Sequence, residues 1–367
     1  MKITYIISTL KGGGAQSPVP AIIKALEAEG NEVRLVACQP SDGRAMPNLK
    51  RAGIVWRLLN QDNVPVPFYF FTTLWNCLKL LSQDRPDVIW TSLSRATAIA
   101  QIAGWLLKIP VVSWQNSTSL RSYTRIMTGL SKLWVADSSV VAHYMRDEGK
   151  VPAKRVVEWP IYKAQTSAVP PLQWDGVGRF HIGSSGRLHE VKNYPALIEG
   201  LALFKRQNPQ AAQQVHLTIL GEGPERAKLE ALVRQHGLES NVTLPGFSDD
   251  VPSFLESLHL YLQPSRYEGM CLALHEAMAA GVPCAATPFG QMRESLDGGR
   301  CGFVIDPANP AQSIAAILAH AMANQSALRD MALIAQKNTL SQFGPEAFQK
   351  RAQNVLAMIQ KAIKPKP

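Results

Sequence analysis

Pro264-Ser265-Arg266-Tyr267-Glu268-Gly269-Met270-Cys271-Leu272-Ala273-Leu274-His275-Glu276-Ala277-Met278-Ala279-Ala280-Gly281-Val282-Pro283 lies between two short apolar runs, Leu260–Gln263 and Pro283–Ala286. Helical periodicity holds from about Cys271 to Ala280. Strand, helix, strand is the repeating unit of a parallel sheet covered by helices. Glu268 stands at the lip of the helix and Glu276 two turns inside it, about 12 Å apart at about 1.5 Å per residue. One carboxylate can therefore serve each end of a long ligand. The N–H groups near Met270, Cys271 and Leu272 favour negative charge at the helix start. Glu276 sits among Leu272, Leu274, Ala277 and Ala279, and acids in apolar surroundings are rare unless paired or liganded.

Outward from this unit the same rhythm covers the chain. The second half reads as strands at Phe180–Ser184, Val215–Leu220 and Val242–Pro245, with helices at Tyr194–Lys205, Glu225–Gln235 and Val251–Leu258. The first half reads as strands at Ile3–Ser8, Val33–Ala37, Asp87–Trp90, Val111–Trp114 and Leu133–Ala136, with helices at Pro20–Glu29 and Leu74–Gln83. The expected fold is α/β, two doubly wound Rossmann-like parallel-sheet domains, and 367 residues suit two cores. Residues 1–165 form the first domain and 179–344 the second. The aperiodic stretch 166–178 is the linker, and 345–367 is expected to be a helix crossing back to the first domain. Open parallel sheets bind ligands at the carboxyl ends of their strands, so a cleft between the domains is the expected site.

The glycine turns fall at those ends. Gly12-Gly13-Gly14 follows the first strand, where unpaired N–H groups suit phosphate. It does not match the dinucleotide fingerprint, because Ser17 stands where Gly or Ala should and no acid follows the second strand. A P-loop is absent as well. In the second half, Gly186-Arg187-Leu188 and Lys192-Asn193 follow one strand, Gly221-Glu222-Gly223-Pro224 the next, and Pro245-Gly246-Phe247 a third. Arg187 and Lys192, one fork and one point charge, can clamp a diphosphate; isolated on a loop, such residues are more often simply solvated.

Composition bounds the rest. Apolar residues make up 46% and charged residues 18%, which excludes disordered, collagenous and coiled-coil chains. The sequence shows neither a membrane span nor a secretion signal, so the expected address is cytoplasmic. Five scattered cysteines, none spaced C-x-x-C, argue for buried thiols and against a zinc site. Residues 1–165 hold 20 Lys and Arg against 11 Asp and Glu, or +9, out of a total of +10. That half is expected to meet something anionic, with solubility as the plainer reading. The segment from Phe68 to Trp75 puts Phe68, Phe71, Trp75 and Leu78 on one helical stripe, starting after Pro65 and Pro67. Burial against the sheet is the first reading of that stripe and contact with a membrane surface the second.

Gly13-Gly14-Ala15, Gly186-Arg187-Leu188 with Lys192-Asn193, Gly221-Glu222-Gly223-Pro224, Pro245-Gly246-Phe247 and the Glu268/Glu276 pair together resemble the retaining glycosyltransferases of family four, which have the GT-B fold. The resemblance covers nearly the whole chain and is dense from 180 to 310. It implies metal-independent sugar transfer from a nucleotide sugar, UDP-linked by preference, with no cofactor. The donor would occupy the second domain and the acceptor the first. By that match Arg187 and Lys192 hold the diphosphate and Glu276 the ribose, while Glu268 meets the sugar. Gly13 and Gly14 also face the donor, as do the backbone at Gly246-Phe247 and the Met270–Leu272 turn. The catalytic set is Glu268, Arg187 and Lys192. Such enzymes usually build bacterial surface polysaccharides, lipopolysaccharide or glycolipids, so the expected partners are a glycan or lipid-linked acceptor and an anionic membrane surface. The chain would then work as a peripheral protein on the inner face of the cytoplasmic membrane.

Two departures matter. The family often has glycine where Cys271 stands, and often histidine near Gln115-Asn116, which are read here as acceptor-side or sugar-side residues. Glutamine can hydrogen-bond a sugar hydroxyl but cannot accept its proton, which fits front-face retention, where the leaving phosphate deprotonates the acceptor. Nucleotide-sugar 2-epimerases share the architecture and the phosphate contacts and are the alternative. A two-lobed binding protein gives Glu268 and Glu276 no role, and no nucleic-acid module is recognisable.

Overall fold

A computed structural model describes residues 1–10, 16, 18–40, 43, 46–62, 65–160, 162–165 and 172–363. Gly13 and Gly14, and residues 166–171 of the expected linker, lie outside the described residues. The chain divides into two compact units, Met1–Lys163 with Glu346–Pro367, and Ala164–Pro345.

The first unit is built on a seven-stranded sheet, all of whose pairs are parallel: β1 (Lys2–Ile7), β2 (Glu32–Ala37), β3 (Trp56–Leu58), β4 (Val88–Ser92), β5 (Val111–Gln115), β6 (Leu133–Ala136) and β7 (Val156–Glu158). The order is β3-β2-β1-β4-β5-β6-β7, so direction of winding reverses between β1 and β4. Strands β4, β5 and β6 are buried along their whole length, as expected for a sheet with helices on both faces. Trp90, Trp114 and Trp159 pack ring to ring, and Phe348 from the last helix, Pro345–Ile363, adds to them with centroids 5.2 Å from Trp159. Gln349 Nε2 also donates to the Ala25 carbonyl at 3.0 Å. This packing places the closing helix in the first unit. By unit, the charge is more lopsided than the sequence halves suggest. The first unit holds 25 Lys and Arg against 12 Asp and Glu, or +13, and the second 13 against 16, or −3.

One expectation is overturned here. The helix over the aromatic segment runs Val66–Gln83; it begins at Val66 because a proline in a first turn loses no hydrogen bond. Its buried stripe is Tyr69, Thr73, Cys77 and Leu81, while Phe68, Phe71 and Trp75 are 66%, 73% and 71% exposed. Burial against the sheet fails for those three rings.

The second unit carries a six-stranded parallel sheet: β8 (Phe180–Ser185), β9 (Val215–Leu220), β10 (Val242–Gly246), β11 (Leu260–Gln263), β12 (Cys284–Ala286) and β13 (Phe303–Val304). The order β10-β9-β8-β11-β12-β13 puts its reversal between β8 and β11. Its core joins Phe180, Ile182, Leu217, Ile219, Leu260 and Leu262 of the strands to Leu197, Leu201 and Phe204 of the helix Pro195–Gln207. Trp174, in the described part of the expected linker, packs edge-on against Phe180 of this core.

Candidate active site

In an open parallel sheet, ligands bind outside the carboxyl ends of the strands where the winding reverses. In the second unit those ends are the loops after β8 and β11. The Arg266 N–H donates to the Val191 carbonyl at 2.8 Å and joins the two loops. Lys192, from the first loop, then meets Glu268, from the second, with Nζ 2.5 Å from Oε1. The sequence assigned these two to the diphosphate and the sugar separately and missed their pairing, because they are far apart in the chain. Both side chains are largely buried. Burial pulls the Lys192 ammonium down, but the Cys271 sulfur and the Glu268 carboxylate push the other way and hold its pKa above the ordinary lysine value. Arg187 is exposed and has no partner among the described residues.

Glycines allow the loops to come this close. Gly221, at φ +143°, sits so that an added Cβ would lie 2.0 Å from the Gly186 carbonyl oxygen. Backbone hydrogen bonds from Gly186 to Leu220, Leu188 to Glu222 and Gly221 to Gly246 stitch the ends of β8, β9 and β10 into one edge. On the other side, a Cβ at Gly290 would lie 2.2 Å from the Glu268 carbonyl oxygen, so the loop after β12 props the Glu268 turn from behind. Phe247, next to Gly246, is 68% exposed.

The helix after β11 spans Leu272–Ala279, so Glu268 precedes it by four residues and helical rise does not measure its separation from Glu276. Cys271 occupies the N-cap with φ +53°, in the left-handed region that favours glycine. Its thiol is buried, and burial raises its pKa. Met270 is buried and Leu272 half-buried beside it. Glu276 is half-buried, burial raises its pKa, and no described residue donates to its carboxylate. In the first unit, Gln115 ends β5 and spends its amide N–H groups on the Ser117 and Ser119 carbonyls at 2.8 and 3.1 Å. Only its oxygen is left to offer. Asn116 is half-buried beside it. Asp250 Oδ1 caps the helix Val251–Glu256 by accepting from the Ser253 N–H. Among the described residues no three His, Cys, Asp or Glu side chains cluster as metal ligands.

The family described as Glycosyl transferases group 1 matches residues 176–338, and the Glycosyl transferase 4-like domain matches residues 13–160. The putative colanic acid biosynthesis glycosyltransferase WcaL of Salmonella typhimurium is 30% identical over 185 residues, 48% of this chain and 44% of that protein. The putative glycosyltransferase EpsF of Bacillus subtilis is 31% identical over 173 residues, 47% of this chain and 42% of that protein. The chain thus spans less than half the length of these curated relatives. Among solved structures, Anabaena Alr3699/HepE in complex with UDP has a TM-score of 0.80 at 20% identity, over 98% of this chain and 100% of that one. The apo lipopolysaccharide outer core galactosyltransferase WaaB has a TM-score of 0.74 at 19% identity, over 97% and 99%. These likenesses identify the fold as GT-B, and the two adjoining family matches agree with the two sheets they overlie: the chain belongs to the group 1 glycosyltransferases.

Proposed function

We propose that the chain moves a sugar, with retention of configuration, from a UDP-sugar to a glycan or lipid-linked acceptor in bacterial surface polysaccharide or lipopolysaccharide synthesis. The observation that carries this reading is the meeting of Lys192 and Glu268 at the reversal point of the second sheet, with Arg187 on the same loop as Lys192 and Glu276 on the helix that follows Glu268, both without a partner among the described residues. Arg187 and Lys192 take the diphosphate, whose charge grows as the glycosidic bond breaks, so they act on the transition state. Glu276 accepts from the ribose hydroxyls, which supply the donors its half-buried carboxylate lacks. Phe247 and the Gly246 backbone face the nucleobase. The Met270–Leu272 turn offers N–H groups to the donor, and Glu268 accepts from a sugar hydroxyl. Gln115 and Asn116 serve the acceptor or sugar side.

The two cations balance the diphosphate, and transfer is expected to survive chelation and to need no cofactor. UDP is favoured because Anabaena HepE, of the same fold, is solved with UDP and with UDP-glucose. A 2-epimerase would use the same phosphate contacts; the transferase is preferred because the first unit's +13 suits an anionic acceptor or surface. We further propose that the enzyme is cytoplasmic and peripheral on the inner face of the membrane, held by the exposed Phe68, Phe71 and Trp75 and by basic residues of the first unit. No helix is long and apolar enough to cross a membrane among the described residues.

Calorimetry with UDP tests the donor site. Glu276→Ala should weaken UDP about 10-fold or more, since it removes hydrogen bonds to a charged group. Glu268→Ala should keep or strengthen UDP binding, because Lys192 is released to the phosphates, while turnover falls. Equal loss of UDP affinity in both variants contradicts these assignments.

A further inference from the structure

Tyr261, Gln263 and Ser265 alternate along β11 and its extension, so their side chains lie on one face of the sheet. All three are buried. The Tyr261 hydroxyl accepts from the Ser185 N–H at 3.2 Å and donates to Gln263 Oε1 at 2.8 Å, the shortest of its contacts, in preference to the Ser185 hydroxyl and carbonyl oxygens 3.2 and 3.3 Å away. Gln263 Nε2 donates to Ser265 Oγ at 2.8 Å, and Ser265 Oγ donates to Glu268 Oε1 at 2.7 Å. Every donor in this chain points toward the carboxylate, which can only accept when ionised. The order is self-consistent. With the Tyr261 hydroxyl occupying Gln263 Oε1, the amide must turn its N–H toward Ser265. Ser265, receiving a hydrogen there, has its own free to donate to Glu268. Aligned donors polarise one another, and a fully satisfied buried network rigidifies its members.

The consequence lies at the two oxygens of Glu268. Oε1 receives both Ser265 and Lys192, whereas no described residue donates to Oε2. We propose that Gln263 and Tyr261 are positioning residues for sugar transfer: they orient Ser265, which with Lys192 fixes Oε1 of Glu268 and leaves Oε2 as the acceptor for a hydroxyl of the donor sugar. The proposal rests on the transferase reading above. It also explains why three polar side chains occupy a sheet face that apolar residues would fill at lower desolvation cost.

The test uses the full chain with Gln263→Met, which keeps length and removes the relay, and Tyr261→Phe, which removes one hydroxyl and disturbs packing least. UDP affinity is measured by calorimetry, and turnover as UDP released from a panel of UDP-sugars with water taking the sugar. Both variants should bind UDP within about 2-fold of the parent, because the network meets Lys192 only through Glu268 and both substitutions leave Arg187, Lys192 and Glu276 in place. Turnover should fall by up to about 100-fold, the cost of a misplaced group in an active site. On a Glu268→Ala background the same changes should cost nothing further, since they act through that carboxylate. Parental turnover in both variants overturns the proposal, as does a parallel loss of UDP affinity or an undiminished loss on the Glu268→Ala background. A parent chain that binds no UDP overturns the donor reading and the proposal together, which separates the two failures.

Discussion

Asp137 stands directly after β6 at 2% exposure, accepts from Ser138 Oγ at 3.1 Å, and has no ion pair among the described residues. Burial pushes its pKa up to about 7. The folded chain then keeps a proton that the unfolded chain releases near pH 4. Stability is therefore greatest below the ordinary aspartate value and declines as pH rises toward 7, by at most about 4 kcal/mol for a shift of this size. Asn keeps the shape and is always neutral, so Asp137→Asn should stabilise the protein more at pH 8 than at pH 5, as read from urea midpoints. Equal effects at the two pH values refute the argument. Lys192 does not enter this comparison. Its raised pKa gives stabilisation that is complete below the ordinary lysine value and lost only as pH climbs through the raised one. Sequence reading passed over Asp137 because nothing in Ala136-Asp137-Ser138 announces burial. It found Glu276 because four apolar neighbours on the same helix did announce it. Lys192 and Glu268 were each legible as site residues. Their contact was not, because it depends on how β8 and β11 come to lie side by side.

The helix Val66–Gln83 shows the limit of periodicity at the scale of an element. Phe68, Phe71 and Trp75 form the more apolar stripe, and apolarity predicts the buried face. The face against the sheet is instead Tyr69, Thr73, Cys77 and Leu81, on nearly the opposite side of the helix at about 100° per residue. Polar groups made that choice affordable: Thr73 Oγ1 accepts from Asn60 Nδ2 at 2.8 Å, and Asn76 donates to Asn60 Oδ1 at 2.9 Å. Three exposed rings, with Lys79 one turn further along the same stripe, suit a headgroup interface. The full chain should therefore float with liposomes containing anionic lipid at low salt, release as salt screens the charges, and ignore neutral liposomes. Replacing Phe68, Phe71 and Trp75 by Ser should abolish flotation without lowering the unfolding temperature, since none of the three is buried. Flotation unchanged by that triple substitution removes the stripe from the account, and a parent chain that stays soluble with anionic vesicles makes a soluble acceptor the better reading.

For the molecule as a whole, the alternation of strand and helix made both sheets legible, and the strand order follows from that alternation in a doubly wound fold. The short edge strands β3, β7 and β13 were not legible, because two or three residues carry no period of their own and, unlike the interior β12, they are not buried along their whole length. Charge was half legible. Its bias toward the first half is plain in the sequence, but its size by unit depends on residues 346–367, which hold five Lys and Arg against Glu346 and whose helix Phe348 anchors against Trp159. The central claim is that the second unit is built around a nucleoside diphosphate, with Lys192 and Arg187 as its cations. The most direct test is thermal unfolding of the full chain with UDP, GDP, ADP and TDP in the presence of EDTA. The account predicts that UDP stabilises most, by about 2.7 kcal/mol at 100 times its dissociation constant, and that Arg187→Ala with Lys192→Ala removes the gain. No stabilisation by any of the four diphosphates, or a gain that the double substitution leaves intact, would contradict it.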